Sequence, residues 1–223
     1  MIRMTLAACL LSVVSAGSAQ AACNSPYKQG VDWSGCFKER LMLGNRGLVE
    51  SNLSKAYLSG TSFSKSDMSG SNFSEAELMR VSFNSSILVK ANFERAYGSK
   101  ISFKKADLRK VNMHKAELQR SNFTDANLHL ANMLKGDFFR SQFINTNLTG
   151  ANMQRTNLSR TTFKGSILKG TMLKEAYMYK ARLEGVDLSE TVGLTQDQIA
   201  RTCGDDKTKL PAGLTRPEKW ACD

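Results

Sequence analysis

The sequence predicts a repeat solenoid, in which the chain turns a corner every five residues and completes one coil in four corners. Three observations support this fold class. From Ser51 to Glu190 the chain divides into 28 consecutive five-residue units without an insertion. The third position of a unit is Leu, Phe or Met in 27 of the 28, and the first position is nearly always a small residue. Large apolar residues of one type recur 20 residues apart, which is four units.

The five-residue period excludes the two ordinary patterns of secondary structure. An amphipathic helix repeats every 3.6 residues and a strand every two, and neither period divides five. One large and one small apolar site per unit instead fit a coil whose corners fall five residues apart. The large third-position side chain then points to the axis, and the small first-position side chain packs beside it. The remaining three positions are mostly polar and face outward.

The spacing of the large residues sets the number of units per coil. A coil of three or five units would scatter the phenylalanines over several sides, whereas a coil of four units stacks them. One such column contains Phe63, Phe83, Phe103, Phe123, Phe143, Phe163 and Leu183, and the next contains Met68, Leu88, Leu108, Leu128, Leu148, Leu168 and Leu188. Seven coils at the spacing of paired strands give a rod about 34 Å long.

Units such as Ala106-Asp107-Leu108-Arg109-Lys110 and Ala126-Asn127-Leu128-His129-Leu130 carry the motif A-(D/N)-L-x-x. Over residues 51–190 the chain resembles the pentapeptide-repeat family. The resemblance implies an all-β fold, a right-handed quadrilateral parallel β-helix of about seven coils. Some members mimic DNA and act on gyrase, which needs an acidic rod in the cytoplasm. A net charge of +11 and the expected export both speak against that activity here.

We expect four segments along the chain: a signal peptide at 1–21, an N-terminal cap at 22–47, the β-helix at 48–190 and a C-terminal cap at 191–223. Arg3 precedes an apolar run, and Ala19-Gln20-Ala21 offers small residues to a signal peptidase. The run is about half the ~20 residues that a membrane-spanning helix needs. A lipoprotein-like box ending at Cys9 is the alternative, but too few residues precede it. The sequence therefore predicts export to the periplasm or the medium.

Removal of residues 1–21 leaves four cysteines, two near each end of the chain. An even number in an exported chain predicts two disulfides. Three connectivities are open, and local pairing of Cys23 with Cys36 and of Cys203 with Cys222 is the simplest. A zinc site is the alternative, although no histidine lies near these cysteines and no CxxC spacing occurs.

The two ends and one internal glycine give local predictions. Trp33, Phe37 and Leu41 are expected to cover the first end, because an open coil end exposes unpaired backbone groups. At the other end Thr195 and Gln198 predict a capping box that opens a short helix including Ile199. Gly98 is the one third position without a large side chain, so we expect a void, a bend or a shifted neighbour there.

No catalytic motif occurs in the sequence, which lacks a Walker loop, a dinucleotide fingerprint, a nucleophile elbow and a zincin helix. The only histidines, His114 and His129, occupy outward fourth positions on neighbouring sides of the coil. We therefore expect no enzymatic activity, no cofactor and no metal site. An enzyme would need a reactive thiol in one of the caps.

Basic residues at the fifth position form two columns when the sequence is folded into coils of four units. The first column is Arg80, Lys100, Arg120, Arg140, Arg160 and Lys180, and the second is Arg95, Lys115, Lys135 and Arg155. Tyr97, Phe139, Tyr177 and Tyr179 lie between the columns. One interpretation is that these basic residues are solvated corner residues, with Glu77, Glu117 and Asp137 neutralising the cations three residues further along the chain. The other is a groove for a polyanion, with aromatic rings adding contact surface.

These observations favour a non-enzymatic exported binding or scaffold protein, with the basic side as its contact surface. Export argues against nucleic acid as the partner and for an anionic component of the cell envelope. A secreted effector that docks on a protein of another cell is the alternative function. Retention in the periplasm favours the first hypothesis, and release into the medium favours the second.

Overall fold

The computed structural model describes residues 23–221. The predicted signal peptide and Cys222 lie outside these residues. Three regular elements occur in the described part: strand β1 (Tyr97–Ser99), strand β2 (Glu117–Gln119) and helix α1 (Gln196–Ile199). The rest of the coil is built from isolated parallel bridges, which recur from one five-residue unit to the next. Within residues 23–221 no helix is long and apolar enough to cross a membrane.

The bridges pair each unit with the unit four places further along the chain, so one coil contains four units, as the sequence predicts. Asn72, for example, pairs in parallel with Asn52 of the preceding coil and with Asn92 of the next. The Asn72 amide donates to the Ser51 carbonyl at 2.9 Å, and the neighbouring Phe73 amide donates to the Asn92 carbonyl at 2.6 Å. Each coil is therefore hydrogen-bonded to both neighbours, and the chain forms a β-helix solenoid. The handedness of the coil stays a prediction.

The solenoid extends beyond the predicted boundaries of 48 and 190 at both ends. Asp32, Phe37, Met42 and Gly47 pair with residues of the following coil, so residues 31–47 belong to a coil rather than to a cap. At the other end Arg182 pairs with Cys203 and Asp187 with Lys209. The spacing of the paired residues has grown by one or two positions there, because helix α1 is inserted into the coil.

Every corner of the coil is a turn that needs a left-handed residue. Each fifth position from Gly30 to Gly185 has φ between +52° and +73°. The turn is closed by a backbone bond such as that from the Ala56 amide to the Leu53 carbonyl, 3.2 Å long. A positive φ costs an ordinary residue about 1–2 kcal/mol relative to glycine. Most corners nevertheless carry Lys, Arg or another side chain, which the corner projects into solvent.

The core contains the predicted stacks of third-position side chains. Phe103, Phe123 and Phe143 are fully buried, and their ring centroids are 4.9 Å and 4.8 Å apart with nearly parallel planes. A second phenylalanine column packs edge-on against the first near the N-terminal end of the rod. Buried Ser and Thr at the first position satisfy their hydroxyl groups on the backbone; the Ser71 hydroxyl, for instance, donates to the Leu48 carbonyl at 2.7 Å.

Gly98 lies where the backbone of strand β1 approaches the preceding coil. A Cβ at this position would lie 2.8 Å from the carbonyl carbon of Leu78 and 3.0 Å from the Met79 amide nitrogen. The backbone of Gly98 therefore lies so close to the backbone of the preceding coil that no room remains for a methyl group. Ile101 and Val111, the large residues at nearby first positions, are both buried in the core.

The two ends are closed by short segments. Cys23 and Cys36 form the predicted disulfide, and the Trp33 indole nitrogen donates to the Ser25 carbonyl at 3.1 Å. At the other end the Thr195 side chain accepts from the Gln198 amide and the Gln198 side chain accepts from the Thr195 amide, so the capping box is present. Cys203 is disulfide-bonded, but its predicted partner lies outside the described residues, so that pairing stays a prediction.

Candidate binding face

One side of the coil, here called the basic face, consists of the unit 36–40, the unit 56–60 and every fourth unit thereafter to 176–180. The two basic columns form its edges. All ten column residues occupy corners with φ between +53° and +59°. Because these corners repeat once in every coil, each column contributes one residue per coil along one edge of the face. Strands β1 and β2 both lie on this face.

The cations of the two columns have few carboxylate partners in the described part of the chain. Among residues 23–221, Arg155 is the one column member with a carboxylate within 4 Å; its Nε lies 2.6 Å from Glu175 Oε2. The hydrogen bond from Arg155 lowers the pKa of the Glu175 carboxyl. The other nine cations have no such partner within the described residues. Like charges stacked one coil apart therefore repel each other with little local compensation.

Two of the three acids expected to neutralise the first column, Glu77 and Asp137, bind neutral donors instead. Glu77 accepts from the Ser59 hydroxyl at 2.9 Å, and the Tyr97 hydroxyl lies 3.5 Å from its other oxygen. Burial and the nearby Glu77 carboxylate raise the pKa of the Tyr97 hydroxyl, which therefore stays protonated. Both oxygens of Asp137 are likewise occupied, by two side-chain amides of adjacent coils and one backbone amide. The structure thus does not support local neutralisation at Arg80 or Arg140.

The four predicted aromatic residues lie on the face, and two of them, Phe139 and Tyr179, lie close to column cations. The Arg140 guanidinium lies 5.1 Å from the centroid of the Phe139 ring, and the Lys180 ammonium lies 6.0 Å from that of Tyr179. Two further aromatics, Phe37 and Tyr57, extend the face toward the N-terminus, and their rings stack at 4.4 Å. Neither ring was predicted to lie on this face, although both residues occupy the same position of their units as Tyr97, in earlier coils of the same side. Phe37 was expected to cover the end of the coil but is 75% exposed, because its second position points outward.

Neither histidine is part of this face. His114 Nδ1 lies 3.3 Å from Glu94 Oε1, and His129 Nδ1 lies 3.1 Å from the Thr149 carbonyl oxygen. Within the part of the chain that the structure describes, no group of three or more His, Cys, Asp or Glu side chains is placed to hold a metal ion.

A cleft of about 570 Å³ lies near the C-terminal end, on the side of the coil next to the basic face. Three of its charged side chains already have partners within the cleft. Arg182 pairs with Glu184 at 3.0 Å, and Asp205 accepts from the backbone amides of Gly185, Lys207 and Thr208. The basic face therefore offers more unpaired charge than this cleft does.

The fold and this face define a class of protein, a β-solenoid of five-residue units with one cationic side. The pentapeptide-repeat family model matches residues 48–84, 76–114, 101–133, 137–173 and 151–190, with eight copies. The chain belongs to the pentapeptide-repeat family. A comparison with curated proteins found no match.

Three solved structures of pentapeptide-repeat proteins illustrate the similarity. HetL, a pentapeptide repeat protein involved in heterocyst differentiation regulation in the cyanobacterium Nostoc, is 19% identical, with 85% of this chain and 88% of HetL covered and a TM-score of 0.46. Full-length QnrB1, a plasmid-mediated fluoroquinolone resistance protein, is 15% identical, with 79% and 94% covered and a TM-score of 0.41. A pentapeptide repeat protein of the Arabidopsis thaliana thylakoid lumen is 24% identical, with 68% and 74% covered and a TM-score of 0.27. At these values the likeness carries no inference about function.

Proposed function

We propose that the protein is a non-enzymatic exported binding or scaffold protein whose basic face contacts an anionic component of the cell envelope. The proposal includes export directed by residues 1–21 and a right-handed, four-sided rod as the mature form. The observation that carries it is the set of nine column cations without a carboxylate partner in the described residues. An anionic ligand along the face would relieve their mutual repulsion and release counterions.

The test is binding of the purified protein to anionic and neutral envelope fractions across a salt series. Binding to the anionic fraction is expected to weaken steeply as salt rises, because each neutralised charge adds to the salt dependence. The double variant Arg120→Glu/Arg140→Glu reverses two neighbouring charges of the first column and is expected to abolish binding.

A matched control is available on the opposite corners of the coil. Lys105 and Lys110 occupy fifth positions with φ of +57° and +58°, but their columns do not border the basic face. Lys105→Glu/Lys110→Glu therefore changes the net charge equally and should leave most of the binding intact. Equal loss in both double variants would mean that only total charge matters, and absence of binding at low salt would remove the proposal.

A second candidate is a secreted effector whose basic face docks on a protein partner. Tyrosine and arginine, both frequent on this face, are enriched in protein–protein interfaces. Fractionation of the producing cells separates the two functions, since an envelope-binding protein should remain with the cells and an effector should be recovered from the medium.

A further inference from the structure

The outward aromatic side chains of the coil are confined to one of its four sides. Between residues 31 and 190, second and fourth positions carry six aromatics, all on the basic face: Phe37, Tyr57, Tyr97, Phe139, Tyr177 and Tyr179. The same positions on the other three sides carry no Phe, Tyr or Trp. Stability of the rod does not require this segregation, since the core is formed by the third positions. A contact made by this side explains it.

The rings of the first pair stand upright on the face. Phe37 and Tyr57 belong to successive coils and stack with an interplanar angle of 7°, like the buried phenylalanine columns. Rings stacked along the rod axis present their edges, not their flat surfaces, to the outside. Upright rings can insert between the groups of a soft surface. They are poorly placed for flat stacking with the bases or sugars of a polymer lying on the face.

The surroundings of the rings favour one type of surface. No insertion interrupts the units from residue 51 to 190, so the face stays even along this length. Between residues 55 and 180 the face and its edges carry eleven Lys or Arg against five Asp or Glu. Tyrosines in the middle and long basic side chains at the edges are the residues that occupy the headgroup level of a membrane interface. Each basic residue near an anionic lipid surface adds to the attraction without needing a fixed partner.

We propose that the basic face lies flat on an anionic lipid surface, with its aromatic ring edges between the headgroups and its two basic columns at the phosphates. This inference rests on the proposed function and names lipid as the chemical class of the envelope component. It requires no pocket, since many weak contacts along the rod act together.

The test uses vesicles of phosphatidylcholine with and without phosphatidylglycerol, and the triple variant Tyr97→Ser/Tyr177→Ser/Tyr179→Ser. The variant keeps every charge but loses apolar contact, so its affinity for the anionic vesicles should fall at least about tenfold. The control is the double variant Ile87→Ser/Ile167→Ser, which removes apolar side chains from second positions on another side of the coil. These isoleucines are 44% and 55% exposed, similar to Tyr97 at 44% and Tyr177 at 52%. The control should bind like the wild type.

Two further measurements separate this inference from the proposed function. Inorganic polyphosphate, an anion without lipid, should bind the wild type and the triple tyrosine variant equally. In Tyr177→Trp the new indole should be quenched by brominated acyl chains, whereas the native Trp33 and Trp220 are buried.

The outcomes distinguish the two claims. If the tyrosine variant binds vesicles as tightly as the wild type, insertion of the rings between the headgroups is refuted, and the electrostatic function stands. Binding of polyphosphate without binding of vesicles would also refute the lipid contact and would favour a protein partner. If the wild type binds neither, the proposed function itself fails.

Discussion

The stacked phenylalanine column allows a measurement of what ring stacking adds to the stability of the rod. Phe123 is fully buried and contacts three other rings, with centroids 4.9 Å, 4.8 Å and 6.0 Å away. Phe163, in the same column and equally buried, contacts the ring of Phe143 at 5.3 Å. Replacement by leucine removes a similar side-chain volume at both sites. It removes three ring contacts at Phe123 but one at Phe163. At about 0.5–1.5 kcal/mol for each ring pair, Phe123→Leu should be more destabilising by about 1–3 kcal/mol.

The assay is equilibrium unfolding in guanidinium chloride, followed by circular dichroism. The denaturation midpoints can be compared only if the free energy of unfolding of both variants depends on denaturant concentration with the same slope as in the wild type. A changed slope would mean that the repeats no longer unfold cooperatively. Equal destabilisation by the two substitutions would show that buried volume alone matters, and would refute the argument that the ring contacts stabilise the column.

Three other predictions follow from local geometry. Gly98→Ala should cost about 1–3 kcal/mol because its methyl group meets the backbone of the preceding coil, whereas Gly47→Ala, with no atom within 4 Å of the new carbon, should be neutral in thermal melts. Hydrogen bonds from a neighbouring serine and from a lysine of the C-terminal tail hold the pKa of Asp187 at about 2, below the ordinary 3.8. The stability that the ionised Asp187 carboxylate contributes is therefore complete above about pH 4 and is lost as the pH falls to about 2. Between about pH 4 and about pH 2 the Asp187→Asn variant should lose less thermal stability than the wild type. If both proteins lose stability equally over that range, the role assigned to Asp187 is wrong. Loss of the Cys23–Cys36 disulfide should cost about 2–4 kcal/mol and increase hydrogen exchange in the first coil, while later coils keep their protection.

The sequence predicts the coil because each unit repeats the same constraints. Interior coils have neighbours on both sides, so the third position must be large and apolar and the first must be small. The four-unit register and the phenylalanine stack therefore follow from spacing alone, and the structure confirms both.

The first coil escaped prediction because those constraints relax at an end. Lys38 occupies a third position there, but its ammonium lies 4.4 Å from the centroid of the Trp33 ring and donates to the Cys23 carbonyl. Arg46, at a first position, lies over the Tyr27 ring. Neither residue fits the repeat, and both are tolerated because no earlier coil of the described chain packs against them.

The partners of the acids on the basic face could not be predicted either. Nearness in sequence suggested that Asp137 would pair with Arg140, three residues away. Its oxygens instead accept from the Gln119 and Asn157 side chains of the adjacent coils and from the Phe139 backbone amide. Contacts between coils decide the charge balance of the face, and a linear pattern does not encode which donor reaches which acceptor.

Because every coil contains four units, the number of units added to the chain decides whether the basic face becomes longer or is interrupted. Duplication of one whole coil would lengthen the rod by about 4.8 Å and keep every later side chain on its original side. Insertion of a single unit would instead turn all later residues to the next side, and would break each basic column into two offset halves. Internal duplications of four units can thus change how many charges the face presents without altering its pattern, whereas those of one unit cannot.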